Sequence, residues 1–191
     1  IAAVDDAVAQ LRGAVREARG DDVVFIVTSD HGEEFLDHGG LLHGHTLYDE
    51  QLHVPLLLSG PDLPRGARID TTVSLVDLVP TLLKAAGVES SKPLPGLNLL
   101  DDAAVNGRTT LYGECFTHNF VDIRTPATSL KWRWIIDGND KLIVPAKANQ
   151  PDDVIELYDL QNDPTEEKNL ATGQAEKVKA LNAKLDAWWK P

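Results

Sequence analysis

The sequence predicts an α/β fold over residues 1–107, followed by a small antiparallel sheet with a C-terminal helix over residues 108–191. Three observations carry this reading. A helical repeat, a glycine stop and a short continuous apolar run follow one another at the start of the chain. A second strand and a second helix complete the pattern by Gly87. Beyond the Pro/Gly-rich stretch "SKPLPGLNLL" the chain changes to short strands separated by turn signals.

Val4, Val8, Leu11 and Val15 recur at helical spacing, so residues 2–18 read as an amphipathic helix with Arg12, Arg16 and Glu17 outward. Gly20 and two aspartates stop it. Val23 to Val27 is a continuous apolar run rich in β-branched residues, the pattern of a central parallel strand covered on both faces. Residues 29–50, with Gly32, Gly39, Gly40 and Gly44, are too irregular for one helix and read as a long polar loop, a length that often carries function. His53 to Leu58 forms a second strand. Ser74 then caps a helix whose apolar face is Leu75, Leu78, Val79, Leu82 and Leu83, with Gly87 as its stop. Farther on, Leu111–Phe116, Leu130–Ile136, Lys141–Val144 and Val154–Leu160 read as strands, with "DGND" at 137–140 as a hairpin turn. Val178, Leu181, Leu185 and Trp188 mark the final helix.

Composition narrows the chemistry. An apolar fraction of 42% and a charged fraction of 25% are ordinary for a globular protein, and no apolar run reaches membrane length. A formal net charge of -12 disfavours nucleic acid and anionic membrane surfaces, which both require a basic field. It does not disfavour a small anionic ester held through a metal. The single cysteine, Cys115, excludes an internal disulfide and reads as a small buried hydrophobe, leaving oxidising and reducing compartments both open. Methionine is absent even at position 1, and the chain opens directly on a helix. The expectation is a piece of a longer product.

The loop after the first strand holds the unusual chemistry. Asp30 and His31 stand at the strand's carboxyl end, where open α/β sheets place their ligands. Both side chains offer lone pairs to a metal. His38, His43, His45 and His53 follow, so five of the six histidines fall between positions 31 and 53. A solvated loop has no need of such a cluster, whereas a site handling an anionic oxygen does. His38 and His53 read as packing or surface residues, and Glu33 and Glu34 as exposed acids on a turn, available to orient His31 or the loop. Trp132 and Trp134, alternating on one strand, and Trp188 and Trp189 read as packing residues. "DLQNDPTEE" lacks the spaced ligands and glycine of a calcium loop and reads as a solvated turn.

The stretch "TSDHGEEFLDHGGLLHGHTLYDEQLHVPLLLSGP" resembles the second half of sulfatases and their relatives in the alkaline phosphatase superfamily. So do "VSLVDLVPTLLKAAGV", "PLPGLNLL" and "ELYDLQNDPTEEKNLA", in the family's order. The resemblance implies a partial alkaline-phosphatase-like α/β/α sandwich ahead of the antiparallel part. It also implies a metal-dependent sulfuric-ester hydrolase acting on a small-molecule ester. Asp30 and His31 match the family's metal-binding pair, and His43 falls where relatives place a basic residue that contacts the transferred group or protonates the leaving oxygen. His45 is the neighbouring alternative for that role.

The departures from the family pattern matter equally. No Cys-x-Pro-x-Arg or Ser-x-Pro-x-Arg segment is present, so the nucleophile, converted to formylglycine in sulfatases, is expected outside this chain. The acidic pair completing the metal site is expected there too, and the isolated chain is expected to be inactive. His31 replaces the Asn of the best-known sulfatases. The divalent ion is thus calcium, magnesium, manganese or zinc, with imidazole favouring the later metals over calcium. Phosphoric-ester and phosphonate hydrolases or phosphotransferases of the superfamily share the Asp-His pair and stay as the first alternative. A non-catalytic binding module is the alternative of another class.

Overall fold

The computed structural model describes residues 1–61 and 63–189. Its best-built region is an antiparallel meander of four strands: β5 (Thr110–Phe116), β6 (Leu130–Asp137), β7 (Asp140–Pro145) and β8 (Glu156–Asp159). The β6–β7 hairpin turns at Gly138, whose φ of 61° requires glycine-like freedom, as "DGND" predicts. Side chains alternate across the sheet, and both faces are used. On one face Ile135, Leu142 and Leu157 pack against Leu181 and Leu185 of the terminal helix α5 (Ala175–Trp188). On the other face Ile143, Tyr158, Trp132 and Trp134 receive Leu47, Tyr48 and Leu52 from the first half of the chain. Trp188 stacks on Tyr112 with ring centroids 5.2 Å apart, so the tryptophans serve packing as the sequence predicts.

The first half is built differently. Helix α1 (Ala2–Arg19) ends at Gly20, φ 75°, and buries none of its residues. Val4 and Leu11, on its predicted inner face, lie in solvent. Strand β1 (Phe25–Thr28) is consequently half-buried rather than covered on both sides. It pairs antiparallel with β4 (Leu56–Ser59), Phe25 opposite Ser59, not as the parallel strand its apolar run predicts. A parallel return requires a crossover helix laid across the sheet. Here the connection is occupied by a two-stranded hairpin, β2 (Glu34–Phe35) with β3 (Leu41–Leu42), and the four-residue helix α2 (Asp49–Leu52). The predicted irregular loop therefore contains three short elements.

The helix expected from Ser74 begins as a 3-10 turn, Leu75–Asp77, and continues as α3 (Leu78–Ala85). Ser74 and Asp77 form a reciprocal capping box. The buried side chains on this segment are Asp77 and Thr81, whereas Leu75, Val79 and Leu82 are exposed. Asp77 accepts both prongs of the Arg108 guanidinium, at 2.5 and 2.7 Å, and the N–H of Leu97 at 2.8 Å. Thr81 accepts the N–H of Leu99 at 2.9 Å. The "PLPGLNLL" stretch is therefore strapped to the preceding helix by two polar side chains. Gly96 permits the approach, because a Cβ there would collide with the Val76 carbonyl. After the strap, α4 (Asp102–Asn106), capped by Asp101, leads into β5.

Candidate functional site

Two residues past β1, the chain turns sharply. The Ser29 hydroxyl donates to the His31 carbonyl at 2.6 Å, and the His31 N–H donates to Asp30 Oδ1 at 3.1 Å. Asp30 is held at the rim with its carboxylate 86% exposed, beside a His31 ring that is 42% exposed. His31 Nδ1 lies 2.7 Å from the Gly32 carbonyl. A carbonyl only accepts, so Nδ1 carries a hydrogen, and in the neutral ring Nε2 holds the lone pair. That Nε2 is 3.6 Å from Asp30 Oδ2. The His43 ring stacks on His31, centroids 3.8 Å apart, and its Nδ1 donates to Glu33 Oε1 at 3.1 Å. Asp30, His31 and His43 thus share one open site, while His45 is exposed and outside the stack.

The donor chemistry suits a divalent ion. Two ligands about 2.1 Å from one metal lie roughly 3–3.5 Å apart, close to the separation between Asp30 Oδ2 and His31 Nε2. The contact from Nδ1 to the Gly32 carbonyl is of the kind that fixes the tautomer and orientation of metal-binding histidines. Among the described residues no group of three or more histidine, cysteine or acidic side chains gathers around one point. Asp30 and His31 are therefore an acid–imidazole pair rather than a closed metal site.

The loop is ordered from within by Glu34, which the sequence leaves open between orienting the loop and being solvated. Glu34 is 1% exposed, not a solvated acid. Its carboxylate accepts the N–H groups of His38 and Gly40 at 3.2 and 2.7 Å, the Thr46 hydroxyl at 3.2 Å and the Gln51 amide at 3.1 Å. Burial alone would push its pKa up, but these donors outweigh burial and leave it lowered. The second anchor is α2. Its backbone accepts Gly32 N–H at Gln51 and Glu33 N–H at Glu50, at 2.8 and 3.0 Å. A Cβ on Gly32 would collide with the Glu50 carbonyl, so glycine is required beside His31.

Helix α2 is itself tied to the C-terminal sheet. Lys141, fully buried on β7, places Nζ 2.9 Å from Asp49 Oδ1 and 2.8 Å from Glu166 Oε1. Glu166 Oε2 accepts the Asp49 N–H at 2.6 Å. Burial pushes Glu166 up, and the Lys141 ammonium pulls in the opposite direction. The expectation of a solvated turn in "DLQNDPTEE" holds for Gln161, Asn162, Pro164, Thr165 and Glu167, which are exposed, and is corrected at Glu166, which is 1% exposed and cross-links the two halves. His38 adds a further tie. Its Nδ1 meets Glu50 Oε1 at 2.6 Å, its Nε2 reaches the Glu166 carbonyl at 3.3 Å, and its ring stacks on Tyr48. Burial opposes protonation there, but Glu50 outweighs it and raises the His38 pKa. Tyr48 and Tyr158 both donate to Glu156 Oε2. Burial and that carboxylate push Tyr48 up to about 12, so both phenols stay neutral donors. Cys115 is half-buried, and burial raises its thiol pKa.

A carboxylate and an imidazole meet at the end of β1, braced by a C-terminal antiparallel sheet, and the fold around them, by its likeness to solved sulfatase structures, is alkaline-phosphatase-like. A model of the sulfatase family matches residues 1–88. Arylsulfatase K of Xenopus laevis is 29% identical over 171 residues, which is 84% of this chain and 30% of that protein. Among solved structures, yidJ of Bacteroides fragilis, a sulfatase by name, aligns with a TM-score of 0.78 at 25% identity, over 97% of this chain and 40% of its own. The phosphonate monoester hydrolase of Agrobacterium radiobacter aligns with a TM-score of 0.71 at 27% identity, over 96% and 40%. The chain belongs to the sulfatase family. It spans about a third of the length of the curated relatives it matches, 30% of the first and 32% of the second.

Sequence reasoning named Asp30, His31 and His43 but missed Gln51, Lys141 and Glu166. Glu166 lies inside a stretch that carried the family resemblance. Lys141 was legible only as a charge in an otherwise apolar strand.

Proposed function

We propose that residues 1–191 are the C-terminal portion of a metal-dependent sulfuric-ester hydrolase whose nucleophile, a formylglycine, lies outside this segment. One observation carries the reading: Asp30 Oδ2, His31 Nε2 and the His43 ring converge on one solvent-open site. Family membership gives that convergence its chemical sense. Asp30 and His31 would hold a divalent ion, which when bound supplies Lewis-acid polarisation of the ester oxygen. The remaining work belongs to side chains. The Gly32 carbonyl holds the hydrogen-bearing Nδ1 of His31, so in the neutral ring Nε2 offers the lone pair. Glu33 takes the Nδ1 hydrogen of His43, so the opposite nitrogen, Nε2, is the atom that would hold or deliver a proton to the leaving oxygen. His45 is the alternative bearer of that role.

A second reading, a phosphoric-ester or phosphonate hydrolase, draws support from the likeness to a phosphonate monoester hydrolase. The two readings separate in one assay of the full-length protein, with 4-nitrophenyl sulfate and 4-nitrophenyl phenylphosphonate as competing substrates. Sulfate turnover that is lost on chelation and falls about 10²–10⁴-fold in His43→Ala supports the first reading. Preferred phosphonate turnover moves the assignment to the second. Neither turnover, with no metal by emission spectroscopy, leaves the binding module. Residues 1–191 alone are expected to turn over neither ester.

A further inference from the structure

We infer that Gln51 is a positioning residue that sets the spacing of His31 and His43, and that the buried Lys141–Glu166 pair holds Gln51 in place. The inference rests on the functional reading above. Each histidine is followed by a glycine, and both glycine N–H groups end on the same residue. Gly32 N–H donates to the Gln51 carbonyl at 2.8 Å, and Gly44 N–H donates to its side-chain Oε1 at 2.9 Å. The two ring-bearing turns are thereby pinned to one side chain and its own backbone. The ring separation of 3.8 Å follows from that double attachment.

Gln51 cannot swing away. It is 4% exposed, and its amide nitrogen donates to Glu34 Oε2 at 3.1 Å and to the Thr46 hydroxyl at 2.5 Å. These bonds fix which end of the amide faces Gly44, because Glu34 only accepts. The short helix α2 that carries Gln51 has no side-chain cap of its own. Glu166 substitutes for one, accepting the Asp49 N–H, while Lys141 neutralises Glu166 and grips Asp49. The chain of contacts runs from β7 and the turn after β8, through Asp49 and Gln51, to Gly32 and Gly44. Neither Gln51 nor Glu166 touches the solvent-open site itself. Each acts through the backbone beside a histidine.

The test uses Gln51→Met in the full-length protein, a change that keeps bulk and unbranched shape but removes the acceptor for Gly44 and the donor to Glu34. Ring stacking shifts the imidazole proton resonances of His31 and His43, which are assigned by His31→Ala and His43→Ala. Gln51→Met should abolish the mutual shift. It should also lower kcat about 100-fold, with KM within about threefold, because a misplacement of roughly 1 Å costs about that much in rate. Unchanged ring resonances with unchanged kcat overturn the inference. If circular dichroism shows that this variant is unfolded, Glu166→Gln decides. Its shape is kept and Asp49 still has an acceptor, so a partial loss of the ring shift and an approximately tenfold fall in kcat are expected. Parent-like resonances in Glu166→Gln overturn the remote part. If the parent protein hydrolyses no sulfate ester, the functional reading fails alone, since the ring resonances still report the positioning.

Discussion

The two halves of this chain both bury polar side chains, but they differ sharply in how much apolar core they bury. Residues 108–191 hide Ile135, Leu142, Leu157, Leu181 and Leu185 between a sheet and a helix, and also bury Leu130, Ile143 and Tyr158. Residues 1–107 hide Glu34, Gln51, Asp77 and Thr81, as residues 108–191 hide Ser129, Arg133, Lys141 and Glu166, but among the described residues they add only Leu47 and Val105 to the buried apolar set. Exposed large apolar side chains show the converse, with 15 of the 21 among the described residues lying before residue 108. The C-terminal part is therefore held by an apolar core, the ordinary driving force of folding. The N-terminal part is held by polar networks that fix loop geometry. Polar networks of this kind specify a shape when every member is satisfied, and they are costly when one partner is lost.

The sharpest way to break the contrast is Lys141→Met, which strands Asp49 and Glu166 where the two halves meet. Chemical denaturation should show about 3–5 kcal/mol lost, because removing one partner leaves a buried charge unpaired. Loss below about 1 kcal/mol would mean that the halves are joined mainly by the Tyr48–Trp134 packing face. Leu142→Ala tests the apolar core and should cost about 2–5 kcal/mol. Thr81→Val tests the polar strap. It strips the acceptor from Leu99 N–H, and about 1–3 kcal/mol is expected. At the small end, Val79→Ser on the exposed face of α3 should change the stability of this chain by no more than about 0.5 kcal/mol. A larger loss would show that this face is covered in solution.

Acidity offers another discriminating measurement. Burial alone would raise the Asp77 carboxyl, but the Arg108 fork and the N–H groups of Leu97 and Ser74 outweigh it and leave the pKa below its ordinary 3.8. A depressed folded-state value means stability that is fully present above pH 3.8 and lost as pH falls through the folded value. Acid unfolding followed at Arg108→Ala against the parent should therefore converge at low pH. Parallel curves down to acid would show that the pair adds nothing that titrates.

Residues with strong local signals were legible in the sequence. The meander, the turn at Gly138 and the apolar stripe of α5 were all read from period and turn chemistry, because antiparallel hairpins and packed helices are largely local. Asp30, His31 and His43 were legible through the histidine cluster and the family resemblance. The direction of β1 was not, since a continuous apolar run states only that a strand is apolar and leaves its partner unspecified. Glu166 was misread, and the role of Glu34 left open, for a related reason: an acid in a glycine-rich or Pro-containing turn is usually solvated, and only distant donors make its burial favourable.

The sequence by itself determined the family, the order of elements, the antiparallel C-terminal sheet and the strand end on which Asp30 and His31 stand. Those features depend on short-range pattern. Tertiary structure decided the antiparallel pairing of β1 with β4, the burial of Glu34 and the joining of Lys141 to Asp49 and Glu166. It also decided the convergence of Gly32 and Gly44 on Gln51. Each of these depends on a partner far along the chain, and no local propensity encodes which of many acids, amides or strands will be brought within hydrogen-bonding reach once the two halves pack.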